Sequence, residues 1–323
     1  MRTSIIFTST AEHLATNLRK KANNLEFILL GKNKESQRFF PDGEVYIRIP
    51  EINKLKLKRV IILHSGSPDP NSGLIELEMI LQILKNRKIR PEIFFTYFPY
   101  CRQDKTFELG ETNVSENLIR KLVDYYGVKK IYSIDPHFGK TAWVKKYPVV
   151  SISALPLLIE RIKEDFGRDI LLLSPDKGGK RRTGISGLNK KRINSFKVKH
   201  FSSKVIAKGR IIGVIDDIIG TGGTLLRFYE FAKNSGAEKI VALITHGVLD
   251  AGIKKIKKRF TKLYLTNTIN KKEANVDITD LISRALAKAK KTSFSSLPSP
   301  RLGRGSVGED ERSSSTTNVI ETF

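Results

Sequence analysis

The chain is poor in cysteine, methionine and tryptophan, with one, two and one of them in 323 residues. Its lone thiol, Cys101, excludes an internal disulfide framework and fits a reducing compartment. No apolar run approaches the roughly 20 residues that a membrane span requires, and Ile5-Ile6-Phe7 is far too short for the apolar stretch of a secretory leader. A cytoplasmic protein with no membrane contact is expected. Acids are also scarce, 33 Asp and Glu against 58 Lys and Arg, for a formal net charge of +25. That excess suggests anionic partners. The bases are scattered, however, and no zinc finger, helix-turn-helix or aromatic RNA-binding pattern lies among them. A solvated basic surface attractive to anionic nucleotides is expected, rather than specific nucleic-acid binding.

What is present is ordinary globular material, 40% hydrophobic and 28% charged, long enough for two domains. Short β-branched runs alternate with helical patterns. Strands are expected at Ile5–Phe7, Val45–Ile49, Val60–Leu63, Ile93–Tyr97, Ile131–Ile134, Ile170–Leu173, Val241–Thr245 and Leu263–Leu265. Between them, Leu74 to Leu84, Leu155 to Ile162 and Ile278 to Leu286 recur at helical spacing, and Ser115 is the expected cap of a helix carrying Leu118, Ile119 and Leu122. Two successive rounds of alternation imply an α/β fold of two parallel sheets flanked by helices, with domains over 1–148 and 149–290. Residues 291–323 hold eight serines and no apolar periodicity, the composition of a disordered tail.

The chain is organised around residues 211–225, IIGVIDDIIGTGGTL. A buried parallel strand is expected to present Asp216 and Asp217 at its carboxyl end. Thr221-Gly222-Gly223-Thr224 then turns into a helix, and free amides at a helix start attract phosphate where no Cβ intervenes. Carboxylates would repel that phosphate, so they fit the hydroxyls of the sugar bearing it. A phosphorylated pentose satisfies both. Aspartates ending a strand before a glycine turn are common in α/β domains, yet this spaced set arises by chance only about once in a million starts. Other strand ends carry polar groups too: Tyr100 to Lys105, Asp135-Pro136-His137, and Ser174-Pro175-Asp176 before Gly178-Gly179. His13, His64 and His200 are expected to be structural or at the surface.

The central stretch resembles the phosphoribosyl-pyrophosphate binding motif. Together with Phe40-Pro41-Asp42-Gly43-Glu44 and the other strand-end segments, in this order, the chain resembles the ribose-phosphate pyrophosphokinases, closest in flavour to archaeal forms. The resemblance implies two tandem phosphoribosyltransferase-like domains. It also implies transfer of the diphosphoryl group of ATP to the 1-hydroxyl of ribose 5-phosphate, releasing AMP. Phe40, Asp42, Gly43, Glu44, Arg102 and Gln103 would serve ATP, in a site shared between subunits of a homo-oligomer. Asp216, Asp217, Gly220, Thr221, Gly222, Gly223, Thr224 and Arg192 would serve ribose 5-phosphate. His137 and Asp176 would place Mg²⁺, and Lys190 and Arg192 would be catalytic. A weakly active or regulatory relative, or a phosphoribosyltransferase, are the alternatives. Three departures stand out. Gly220 replaces the family's usual acid or serine, Asn270 replaces a proline, and only ten residues, Lys180 to Asn189, separate Gly179 from Lys190 where a helix and a strand are usual.

Overall fold

In the computed structural model, which describes residues 3–22, 25–167, 169–175, 189–192, 198–202 and 207–288, the β-branched runs form two parallel sheets. Strands β1 (Thr3–Phe7), β2 (Leu25–Leu29), β3 (Arg59–Ser65), β4 (Glu92–Tyr97), β5 (Lys130–Ile134) and β6 (Val149–Ile152) make the first, in the order β2-β1-β3-β4-β5-β6. Further along come β7 (Ile170–Leu173), β8 (Asn189–Arg192), β9 (Val198–Ser202), β10 (Ile211–Ile219), β11 (Lys239–Gly247) and β12 (Lys262–Leu265). Four of these build the second sheet, β12-β11-β10-β7, while β8 and β9 pair antiparallel as a separate ribbon. Asp176, Gly178, Gly179, the 180–188 connection and the 291–323 segment lie outside the described residues.

The helices follow the apolar spacing: α1 (Ala15–Lys21), α2 (Pro70–Asn86), α3 (Val114–Arg120), α4 (Leu155–Phe166), α5 (Gly223–Asn234), α6 (Asp250–Arg259) and α7 (Thr279–Lys288). Leu77, Ile80, Leu81 and Leu84 of α2 pack on Ile62, Ile93 and Phe95 of the first sheet. Its other face takes Leu14, Leu18 and, from α7, Ile282 and Leu286. In the second sheet Ile212, Val214, Ala242 and Ile244 face α5 and α6, while Ile215, Val241 and Leu243 face α4. Both sheets are thus covered on both sides, which is why their strands are nearly all apolar.

Two expectations change. Val45–Ile49 forms no extended ladder; Phe39↔Val45 and Gly31↔Arg48 are single bridges, and Ile49 packs into the core on its own. The cap of α3 is Asn113, whose side chain accepts the Glu116 amide (3.1 Å) and donates to the Glu116 carboxylate (3.1 Å), a reciprocal box that satisfies an orphan helix donor. Ser115 instead spends its hydroxyl on the Tyr100 carbonyl, 2.9 Å away. The first sheet extends through Ile152, because β6 pairs in register with β5. The chain later returns there through α7.

The two sheets are tied by buried polar side chains. His246 Nε2 donates to the Ile134 carbonyl (3.1 Å), which leaves Nδ1 as acceptor for the Thr268 hydroxyl (2.9 Å). Thr96 donates to the Thr268 carbonyl (2.7 Å), and Thr245 to the Asp135 carboxylate (2.9 Å). His246 and His64 are both buried, and desolvation lowers their pKa values to about 4 and about 3. In the unfolded chain each titrates near its ordinary value of about 6.5. Below that pH the unfolded state binds protons that the native state refuses, so stability falls as pH drops from about 6.5 toward 4. Burial raises the carboxyls of Asp135 and Glu76, which contributes a slope of the opposite sign as pH falls. The expected result is a melting temperature that declines between pH 6.5 and about 4.5, with a shallower decline for His246→Gln, whose side chain no longer titrates. Parallel curves for the two proteins would show that His246 does not contribute.

Candidate functional site

Strand β10 carries two aspartates whose successive side chains point to opposite faces. It runs beyond them to Ile219, paired with β11 as far as Ile219↔Gly247, while β7 leaves it at Val214. With no β7 residue alongside, Asp216 opens onto two adjoining clefts. Asp217 is only 6% exposed, and its carboxylate takes a 2.7 Å hydrogen bond from His137 Nδ1. Asp216 faces the cleft of the glycine turn, and Asp217 joins the second half of the chain to the first.

After Ile219 the turn closes into α5. Gly222, the residue before the helix, has φ +80°, a left-handed conformation that glycine adopts without a Cβ penalty. Thr221, Gly222, Gly223, Thr224, Asp216 and Arg102 line one cleft. Helix α6 holds the turn from behind. Val248 donates its amide to the Ile219 carbonyl (3.0 Å), and a Cβ on Gly252 would lie 1.9 Å from the Gly220 carbonyl oxygen. Gly252 was not among the expected site residues; a glycine inside an otherwise helical pattern was its only signal. Glycine to alanine normally stabilises a helix interior. Here Gly252→Ala must displace the turn and is expected to cost about 1–3 kcal/mol, the usual range for overpacking. Thermal unfolding measures this, and an unchanged or raised melting temperature would contradict the close packing.

His137 follows Asp135-Pro136 at the end of β5. Asp135 has φ +33°, an uncommon conformation for a side chain before proline. Its carboxylate accepts the Ala154 amide (3.0 Å) and the Thr245 hydroxyl (2.9 Å), so it fastens β5, β6 and β11 at one point. His137 donates through Nδ1 to Asp217, and its side chain is 27% exposed, a setting in which the other ring nitrogen of an imidazole can meet a cation or water.

The loop after β4 is held by buried anchors on either side of its exposed pair. Cys101 is buried, its thiol pushed up to about 12 by desolvation. Tyr100 and Gln103 give their carbonyls to Ser115, and the carbonyl of Asp104 accepts Trp143 Nε1 (3.1 Å). Arg102 and Gln103 are left exposed between them. Phe40, Asp42, Gly43 and Glu44 form a separate turn, closed by Phe40 N to Glu44 O (2.8 Å) and Glu44 N to Asp42 Oδ1 (3.0 Å). Phe40 is 42% exposed, and among the described residues this turn makes no hydrogen bond to the Arg102 loop. Lys190 and Arg192, expected in a loop, lie instead on β8, opposite Phe201 and Val198 of β9. The structure thus gathers Asp216, Asp217, His137, Arg102 and the glycine turn, but not the Phe40 turn.

Comparison with known proteins agrees along most of the chain. Residues 4–127 match the N-terminal domain of ribose phosphate pyrophosphokinase. A ribose-phosphate pyrophosphokinase of Pyrococcus furiosus is 31% identical over 280 residues, covering 82% of this chain and 94% of the relative. That of Pyrococcus abyssi is 29% identical, covering 87% and 98%. The crystal structure of phosphoribosylpyrophosphate synthetase from Mycobacterium smegmatis shares the fold, with a TM-score of 0.75 at 22% identity over 90% of this chain and 99% of that one.

Proposed function

The chain belongs to the ribose-phosphate pyrophosphokinase family, and from that premise we propose that its central cleft binds ribose 5-phosphate for attack on ATP. The phosphate sits on the amides of Thr221 to Thr224, and Asp216 takes the sugar hydroxyls. The observation carrying this is that the glycine turn at a helix start and a carboxylate residue line one cleft, the pairing a sugar phosphate needs. The 1-hydroxyl oxygen forms a bond to the β-phosphorus as the bond from that phosphorus to the oxygen of AMP breaks. The hydroxyl loses its proton, and AMP departs with the electron pair.

Such a transfer asks little covalent chemistry of the protein; positioning and charge neutralisation dominate. Arg102 and Gln103, with Phe40, Asp42, Gly43 and Glu44, form the nucleotide side. The exposed Phe40 turn, detached from the Arg102 loop within one chain, supports an ATP site completed by a neighbouring subunit of a homo-oligomer. Lys190 and Arg192 neutralise developing charge. Among the described residues no three His, Cys, Asp or Glu side chains stand close enough to cage a metal. Mg²⁺ is commonly held by one or two protein groups plus substrate phosphates. His137 Nε2 and Asp176 would hold it, and when bound it neutralises phosphoryl oxygens. In the domain division we propose, the first unit contributes the nucleotide side and the second the sugar-phosphate side.

The test is the nucleotide product. With ATP, Mg²⁺ and ribose 5-phosphate, chromatography is expected to show AMP formed only when all three are present. ADP as the product would indicate a different reaction and overturn the proposal.

A further inference from the structure

The guanidinium of Arg102 stands against the glycine turn itself. A Cβ on Gly220 would lie 3.2 Å from its Nη1 and 3.4 Å from its Nη2, and Arg102 lines the same cleft as Thr221 to Thr224. Neither partner is placed loosely. Gly220 is backed by Gly252, where even a methyl group would come within 1.9 Å of its carbonyl oxygen. The arginine's backbone lies between the Tyr100 carbonyl, bound by the Ser115 hydroxyl (2.9 Å), and the Gln103 carbonyl, bound by the Ser115 amide (3.0 Å).

An exposed guanidinium beside free amides is a site for a doubly charged phosphate, because its planar fork can give two parallel hydrogen bonds. Glycine at 220 is the condition for this placement. A side chain there would crowd the position where the guanidinium now lies, and an acid would pair with the guanidinium in place of the phosphate.

We propose that Arg102 is a ligand of the phosphate of ribose 5-phosphate, in addition to its place on the nucleotide side. The inference rests on the reading of the cleft given above. In this chain the phosphate is held by a side-chain cation as well as by backbone amides, and the missing side chain at 220 is what admits the cation.

Calorimetric titration of ribose 5-phosphate, without nucleotide, into the parent, Arg102→Ala, Arg102→Lys and Gly220→Asp tests this. Unchanged melting temperatures are expected for Arg102→Ala and Arg102→Lys, since residue 102 is exposed. Ribose 5-phosphate affinity is expected to fall at least about tenfold in Arg102→Ala, the scale of one charge-assisted pair. Arg102→Lys should recover part of the loss, and Gly220→Asp should weaken binding as well. Parent-like affinity in Arg102→Ala overturns the inference and leaves the reading of the cleft intact. A parent that binds no ribose 5-phosphate overturns that reading itself.

Discussion

Lys190→Ala and Arg192→Ala are each expected to lower kcat by a factor on the order of 10² to 10³, with modest change in KM, the scale for losing one preorganised donor to transition-state charge. The reasoning starts from the reaction. As the diphosphoryl group passes from AMP to the sugar, negative charge shifts between the β-phosphorus and the departing oxygen, so a cation held there favours the transition state over either substrate. The structure gives both residues a backbone setting on β8, in a ribbon with β9 that belongs to neither parallel sheet. Lys191 lies between the two matched positions, and Lys191→Ala is expected to change little. Steady-state kinetics on the four proteins decides the matter. Equal turnover in the parent, Lys190→Ala and Arg192→Ala would reject the assignment.

Gly222→Val is expected to weaken ribose 5-phosphate binding by a factor on the order of 10² or more, because it removes several amide bonds to the phosphate together. Two effects combine. Valine is strained at φ +80°. Its Cβ would also meet the Gly252 carbonyl and Ile256 Cδ1, each at 3.4 Å, before any branch is added. Binding of a non-hydrolysable ATP analogue should change far less, since of the nucleotide groups only Arg102 borders the turn. Separate titrations with the two ligands distinguish these effects. Retained ribose 5-phosphate affinity would remove the phosphate from this turn.

Local signals made much of this site legible in the sequence. Asp216 and the glycine turn lie consecutively on a strand, turn and helix, and buried parallel strands announce themselves by unbroken β-branched runs such as Ile211 to Ile215. The strand and helix alternation gave both sheets for the same reason. What escaped was set by packing between distant segments. Whether Asp217 faces the sugar or His137 depends on how β10 meets β5, 80 residues earlier. The closeness of Gly252 to Gly220 is a contact between backbones that no periodicity encodes. Val45 to Ile49 alternates like a strand, but alternation does not supply a partner strand.

Label placed on the β-phosphorus of ATP follows the central claim most directly. After reaction with ribose 5-phosphate and Mg²⁺, all transferred label is expected in the diphosphate on carbon 1 of the sugar, with unlabelled AMP formed in equal amount. Label retained in ADP, or released as inorganic diphosphate without a sugar product, would contradict diphosphoryl transfer by this protein.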